Sequence, residues 1–92
     1  MASKNPICIV VLQRSWNIIG RYHEEDDGKR FVIEGPCYVI RRWGTTCGLG
    51  QLASEGKLAE TILDKTTTVR GHREAHIFNI EVDQSKWEKE FP

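Results

Sequence analysis

No apolar run in this sequence is long. The longest, Ile7 to Leu12, falls far short of the ~20 residues that a helix needs to cross a bilayer. The opening MASKNP lacks the apolar core of a signal peptide, so the expected location is the cytosol of whatever cell makes the protein. Neither sign of charge is in excess, with 13 basic and 13 acidic residues giving a net +0. Indiscriminate polyanion binding needs a large positive excess and nucleic-acid mimicry a large negative one, and the balance argues against both. Cysteines are few and odd in number: Cys8, Cys37 and Cys47 are widely spaced among apolar or small neighbours, the pattern of reduced thiols. Catalytic signatures are missing as well. Ser15, Ser54 and Cys47 have no nucleophile elbow or local Cys-His pattern to activate them. His72 and His76 stand four apart, but the second lies in an alternating strand pattern, and no further ligands complete the four that structural zinc requires. No enzyme, metal or cofactor is expected.

What is present is enough for one small domain spanning residues 1–92, with residues 1–5 a flexible start and 84–92 a C-terminal tail. A chain of 92 residues buries roughly 60 to 65% of its unfolded surface around one core. The β-branched run Ile7 to Leu12 reads as a central strand buried on both faces, with Pro6 at its entry, where a missing N–H costs no ladder bond. Gln13-Arg14-Ser15 interrupts the pattern and Trp16 to Tyr22 resumes it, Gly20 marking a bulge or a close approach of another backbone. The acidic run Glu24 to Lys29 contains Asp27-Gly28, a hairpin signal, and Arg30 to Glu34 is the return strand. Gly35-Pro36 is expected to turn the chain again.

Cys37 to Trp43 is the next strand. Period two puts Tyr38, Ile40 and Arg42 on one face and Cys37, Val39, Arg41 and Trp43 on the other. Gly44 lets the backbone turn, Thr45 or Thr46 is placed to cap a helix, and Leu49, Leu52 and Ala53 recur at helical spacing before Gly56 ends it. Gly48 and Gly50 weaken that helix by about 1 kcal/mol each if they lie in its interior, so packing or a partner must hold it. Lys57 to Asp64 fits either another helical turn or a strand. Thr66 to Arg70 and Ala75 to Val82, with Gly71 between, are expected to form a second hairpin, and Ser85 to Pro92 a helical turn pinned by Trp87 and Phe91. The predicted fold class is α+β: a single small domain, mostly antiparallel β-sheet, with one short helix packed on it.

Charge is uneven within this neutral chain. From Lys29 to Arg73 eight basic residues stand against four acidic ones, so a local basic surface is expected. Trp43 to Gly50 places glycines and hydroxyls ahead of a helix, where free N–H groups and the dipole favour an anion. Thr45, Thr46 and Gly48 are the candidate phosphate contacts. Gly50-Gln51 stands where a Walker motif has lysine and a hydroxyl, so a nucleoside triphosphatase is excluded. Arg41 and Arg42 supply charge beside Trp43, which can stack on a base. A second cluster, Arg14, Trp16, Asn17 and Arg21, has the composition of protein–protein hot spots as much as of RNA contacts.

Arg14-Ser15-Trp16-Asn17 is an early Arg-[Ser/Thr]-aromatic turn, and Leu49-Gly50-Gln51-Leu52-Ala53-Ser54-Glu55-Gly56 a glycine-capped helix ending Gln-Leu-Ala-x-Glu-Gly. On these two features, and along nearly its whole length, the chain resembles phage anti-CRISPR proteins of the type I-F class. That resemblance implies a non-enzymatic inhibitor made by a phage in the cytoplasm of an infected bacterium. It would bind the crRNA-guided Csy surveillance complex through Cas subunits, with guide RNA as a further contact, and block hybridisation of target DNA. Arg14, Trp16, Asn17, Arg21, Arg41, Arg42 and Trp43 are the expected partner-binding residues, on a protein for which a monomer is slightly favoured. The alternative of a different class is an oligomeric phage sponge that sequesters a cyclic nucleotide immune signal at the glycine-rich helix start. A structural phage component is a third.

Overall fold

The structure, a computed structural model, describes residues 5–91. Its strands and helices follow in the order β1 (Ile7–Leu12), β2 (Trp16–Glu25), β3 (Arg30–Arg42), α1 (Leu49–Glu55), β4 (Ile62–Thr66), β5 (Val69–His72), β6 (His76–Glu81) and α2 (Gln84–Trp87). Tight 3-10 turns stand at Gln13–Ser15, Asp26–Gly28, Arg73–Ala75 and Glu88–Glu90. The strands form an antiparallel sheet ordered β4-β3-β2-β1-β6, with β5 also paired to β3. This is a small α+β domain, in which the C-terminal segment adds a second short helix to the expected one.

β1 explains why the first run is apolar throughout. It lies between β2 and β6 and is covered on both faces. Ile7 and Ile9 point into one core with Ile19, Ile40, Leu52, Ala53, Trp87 and Phe91. Cys8, Val10 and Leu12 point into the other with Ile18, Phe31, Ile33 and Cys37. The first core is roofed by the helices. Trp87 is fully buried, and its indole N–H donates to the Leu52 carbonyl at 3.2 Å, while the Asp83 amide donates to the Ala53 carbonyl at 3.0 Å. The segment after residue 84 is therefore part of the core. Of the expected flexible start, residues 1–4 lie outside the described residues, and Asn5 is held: its carbonyl accepts from Arg21 at 2.7 Å and its amide donates to Glu34.

The second core has no helical roof and is closed by the sheet itself. β5 runs along the first part of β3, with Arg30 opposite His72 and Ile33 opposite Val69. The chain then bends at Arg73–Ala75 and continues as β6 beside β1. One nearly continuous segment thus spans from the third strand to the first and coils the sheet over its own face. His76 lies against Tyr22 and Phe31, with ring centroids 5.5 and 6.0 Å away. Gly20 sits at a close crossing, where a Cβ would lie 2.6 Å from Ile33 Cγ2.

Two sequence expectations fail here. Gly35-Pro36 does not turn the chain: β3 runs unbroken through it, and the peptide bond is cis. The reason is that two later segments share one edge of β3, with β4 ending opposite Cys37 and β5 beginning opposite Ile33. Pro36 falls in the gap between the two ladders, where no partner needs its missing N–H. β5 and β6 do not form a hairpin either, since each pairs with a different strand. Gly71 is small because the Phe31 ring lies where its Cβ would be, 2.5 Å from Cζ. The uncertain stretch Lys57 to Asp64 becomes a loop followed by β4.

Cys8 and Cys37 are buried and free, whereas Cys47 is exposed. Burial pushes the Cys37 thiol from its ordinary 9.0 up to about 11. Burial, with the Glu24 carboxylate beside it, pushes the Tyr22 phenol from 10.0 up to about 12. The folded state favours the protonated form of both groups. Their contribution to stability is complete below pH 9 and is lost as pH climbs from about 9 toward 12. Thermal melts between pH 7 and 11.5 should fall only above that threshold. A thiol reagent at pH 8 should label Cys47 alone until denaturant is added.

Candidate binding surface

The end of the sheet that carries the predicted residues is shaped first by the β1–β2 turn. Leu12 pairs with Trp16, and the three residues between them include Arg14 and Ser15, both at φ 65°. Consecutive left-handed residues give the hairpin a twist that matches its strands, and here they are not glycines. Trp16 leaves the turn 53% exposed. Ile18 pairs with Val39, and continuing that ladder two residues brings Trp16 level with Arg41, and Asn17 with Ile40. The two sequence clusters therefore meet at one end of neighbouring strands.

The arginines there are not free. Arg41 Nε lies 3.0 Å from Asp64 Oδ2, and Arg42 Nη2 lies 3.9 Å from Glu60 Oε2. The alternation expected for β3 holds through Ile40, then a bulge between Ile40 and Arg42 breaks it where β4 begins to pair. All four side chains are well exposed, so each pair contributes no more than about 1 kcal/mol to stability. Their effect is on the local field. The basic excess read along the chain is locally offset where it was expected to act.

The corner that follows is tightly built. Gly44 has φ 69°, and a Cβ there would lie 2.4 Å from Glu60 C and Thr61 N, so only glycine fits. The buried Thr61 hydroxyl donates to the Trp43 carbonyl at 2.7 Å and accepts from the Leu58 amide at 3.1 Å. Trp43, 42% exposed, carries its ring past Gly48, with Cζ3 3.7 Å from the place of a Gly48 Cβ.

Neither Thr45 nor Thr46 caps α1. Gly48 is the N-cap residue, at φ 84° and with no side chain to accept a bond. The loop ahead of the helix is instead tied from within it. Gln51 Oε1 accepts from the Thr46 amide at 3.1 Å, the Cys47 amide at 2.8 Å and the Thr46 hydroxyl at 3.2 Å. The Thr45 hydroxyl donates to the Gly48 carbonyl at 2.9 Å. Of the anticipated phosphate contacts at Thr45, Thr46 and Gly48, the Thr46 amide and hydroxyl are thus already bound by a side-chain carbonyl of the chain's own. Gly50 lies in the first turn of a seven-residue helix with nothing within 4 Å of its Cβ position.

Arg21 stands apart from this group. It is five residues from Trp16 along β2, about 16 Å at strand rise. Its guanidinium donates to the Asn5 carbonyl at 2.7 Å and to the Phe91 carbonyl at 3.3 Å, so it ties the two ends of the described chain together. The histidines are engaged separately. His72 Nδ1 accepts from the Glu74 amide at 3.2 Å and His76 Nε2 lies 2.7 Å from Asn79 Oδ1. Among the described residues no three His, Cys, Asp or Glu side chains are grouped to hold a metal. The sequence reading missed Ile77 and Phe78, 54% and 51% exposed on β6. Their signal was two adjacent apolar residues breaking an otherwise alternating segment.

No family model matches the chain, and neither a curated protein nor a solved structure matches it significantly.

Two substitutions separate the scaffold from the surface. Gly44→Ala should lower stability by at least about 2 kcal/mol in chemical denaturation, because it combines a left-handed backbone with a backbone clash. Arg14→Gly should leave stability within about 1 kcal/mol, since glycine adopts φ 65° without strain, and so removes only the exposed side chain.

Proposed function

We propose that this protein is a stoichiometric, non-catalytic binding module whose partner is another protein, docked on the sheet end that presents Trp16, Arg41, Arg42 and Trp43, with Arg14 and Asn17 at its margin. The observation that carries this is the pair of indoles, each more than two-fifths exposed, mounted on strand ends beside two arginines. Tryptophan and arginine are the side chains most enriched where binding energy concentrates. A soluble domain does not otherwise gain from leaving two tryptophans in water. Protein is favoured over nucleic acid because Arg41 and Arg42 each already face a carboxylate, and because Gln51 takes the loop amides. A phosphate would have to displace both. The same occupancy leaves the cyclic-nucleotide sponge without a supporting observation.

The narrower form of the proposal comes from the sequence resemblance. In that form the partner is a Cas subunit of a type I-F surveillance complex, with guide RNA at most a peripheral contact, and docking blocks target DNA. The protein then acts in the cytoplasm of a phage-infected bacterium. Among the described residues no helix is long and apolar enough to cross a membrane.

Tagged protein should be used as bait in cells expressing type I-F components, with captured protein and RNA both identified. Cas subunits in a fixed ratio to bait are the expected result. Trp16→Ala with Trp43→Ala should reduce capture at least ~100-fold, as loss of two hot-spot side chains implies, with an unchanged circular dichroism melt. Capture should vary little between 50 and 200 mM salt, over which a multi-phosphate contact would weaken by orders of magnitude. If no Cas subunit is recovered, the narrower form fails. If the double alanine variant captures as well as the parent, the surface is misplaced.

A further inference from the structure

β6 is a short edge strand with a bulge at Ile77, and beyond that bulge, from Phe78 to Ile80, its outer edge is regular and uncharged. Among the described residues it pairs only with β1, which leaves one row of its backbone N–H and C=O groups facing outward. Edges are blunted by lysine, proline, bulges or a covering segment, and here the bulge and Glu81 guard only the two ends of the strand. His76-Ile77-Phe78-Asn79-Ile80-Glu81 contains neither lysine nor proline, and its two most exposed side chains are the apolar Ile77 and Phe78.

We propose that the β6 edge is completed by the β6 edge of a second copy of this chain, giving a two-fold dimer with a continuous sheet, in place of the monomer favoured from sequence. The strand is self-complementary in one register. Phe78 and Ile80 stand opposite Val11 and Ile9, on the helix-covered face, and Asn79 stands opposite Val10 on the other. An antiparallel partner related by a two-fold axis at Asn79 sets Phe78 of each copy across from Ile80 of the other. Asn79 then faces its own counterpart. Apolar meets apolar on one face and amide meets amide on the other, as cross-strand pairing favours. Charge agrees with that direction. Glu81 and Asp83 end the strand, while His72, Arg73 and His76 stand around its start with Glu74 among them, so each copy's acidic end lies beside the other's more basic one. The reverse, parallel arrangement would align like ends and break the two-fold symmetry. The ladder is short, smaller than the ~800 Å² per partner of a standard interface, so the dimer dissociates on dilution.

The proposal is independent of what docks at Trp16 and Trp43, because those residues lie on β2 and just beyond the end of β3, not on the β6 edge. Sedimentation equilibrium of the full chain, from about 1 to 500 μM, should show a reversible monomer–dimer equilibrium. Phe78→Lys should raise its dissociation constant about tenfold, since it removes two symmetric pairs of up to about 1 kcal/mol each. Its surface position keeps the fold intact, which a circular dichroism melt checks. In a Cys47→Ser background, Asn79→Cys should form a disulfide with its own counterpart at concentrations that populate the dimer. Ile77→Cys, off the axis, should do so much less. A monomer mass at every concentration overturns the proposal. So does a dimer that Phe78→Lys leaves unchanged, or one in which cysteine at residue 77 links as fast as at 79.

Discussion

The fold depends on one strand having to serve three neighbours. β3 offers a single edge to β2 and divides the other between β5 and β4. The two ladders part at Gly35-Pro36, and on the opposite edge β3 spends four residues, from Glu34 to Tyr38, against two of β2, so β3 bulges and bends there. That bend is possible only without a side chain at Gly35, whose Cβ would lie 2.5 Å from the Thr68 amide. Once β3 is bent, its first half leans over the sheet, β5 follows it, and the segment through Arg73–Ala75 delivers β6 to the far edge. The second hydrophobic core is enclosed by this coiling alone. A chain of this length thereby covers both faces of a sheet while owning only two short helices.

The same bend fixes what the far end of β3 presents. Beyond Ile40 the ladder bulges, and the chain turns at a glycine pressed against the backbone of the loop before β4. Two side chains then meet the hydrogen-bonding needs of the corner from within. Thr61 serves Trp43 and Leu58, and Gln51 serves the amides of Thr46 and Cys47. Among the described residues no buried side-chain nitrogen or oxygen lacks a partner. A corner satisfied in this way is a rigid mount, and rigidity lowers the ordering cost of any association that uses the indole it carries. It is a poor trap for an anion for the same reason.

Much of the fold could be read from the residues, because burial leaves a direct mark on side-chain type. The apolar run Ile7 to Leu12, the Asp-Gly turn, the helix between Leu49 and Glu55 and the anchoring of the C-terminal segment by Trp87 and Phe91 all follow from local pattern. What could not be read was which strand pairs with which. Gly35-Pro36 and Gly71 look like turn signals, yet their smallness answers to Thr68 and Phe31, residues distant in sequence. The binding surface shows the same divide. That Trp16 and Trp43 are large and aromatic was plain, but their exposure, and the setting of Trp16 level with Arg41, depend on register. Arg21 looked the same as Arg14 from its neighbours and proves to hold the chain's ends. Gln51 gave no sign that it would bind the loop amides of Thr46 and Cys47, since a partner for a loop is usually sought within the loop and here it reaches back from the helix.

The order in which the strands are synthesised differs from the order in which they pair. β1 leaves the ribosome first and lies near the middle of the finished sheet, while its outer neighbour β6 and the helix carrying Trp87 leave last. Until residues 76–91 have emerged, the most apolar strand of the chain has one open edge and one uncovered face. A domain with this topology cannot complete its sheet until β6 is available, because its β1–β6 pairing is non-local. During that interval the chain carries an apolar hairpin whose outer edge is open to other chains.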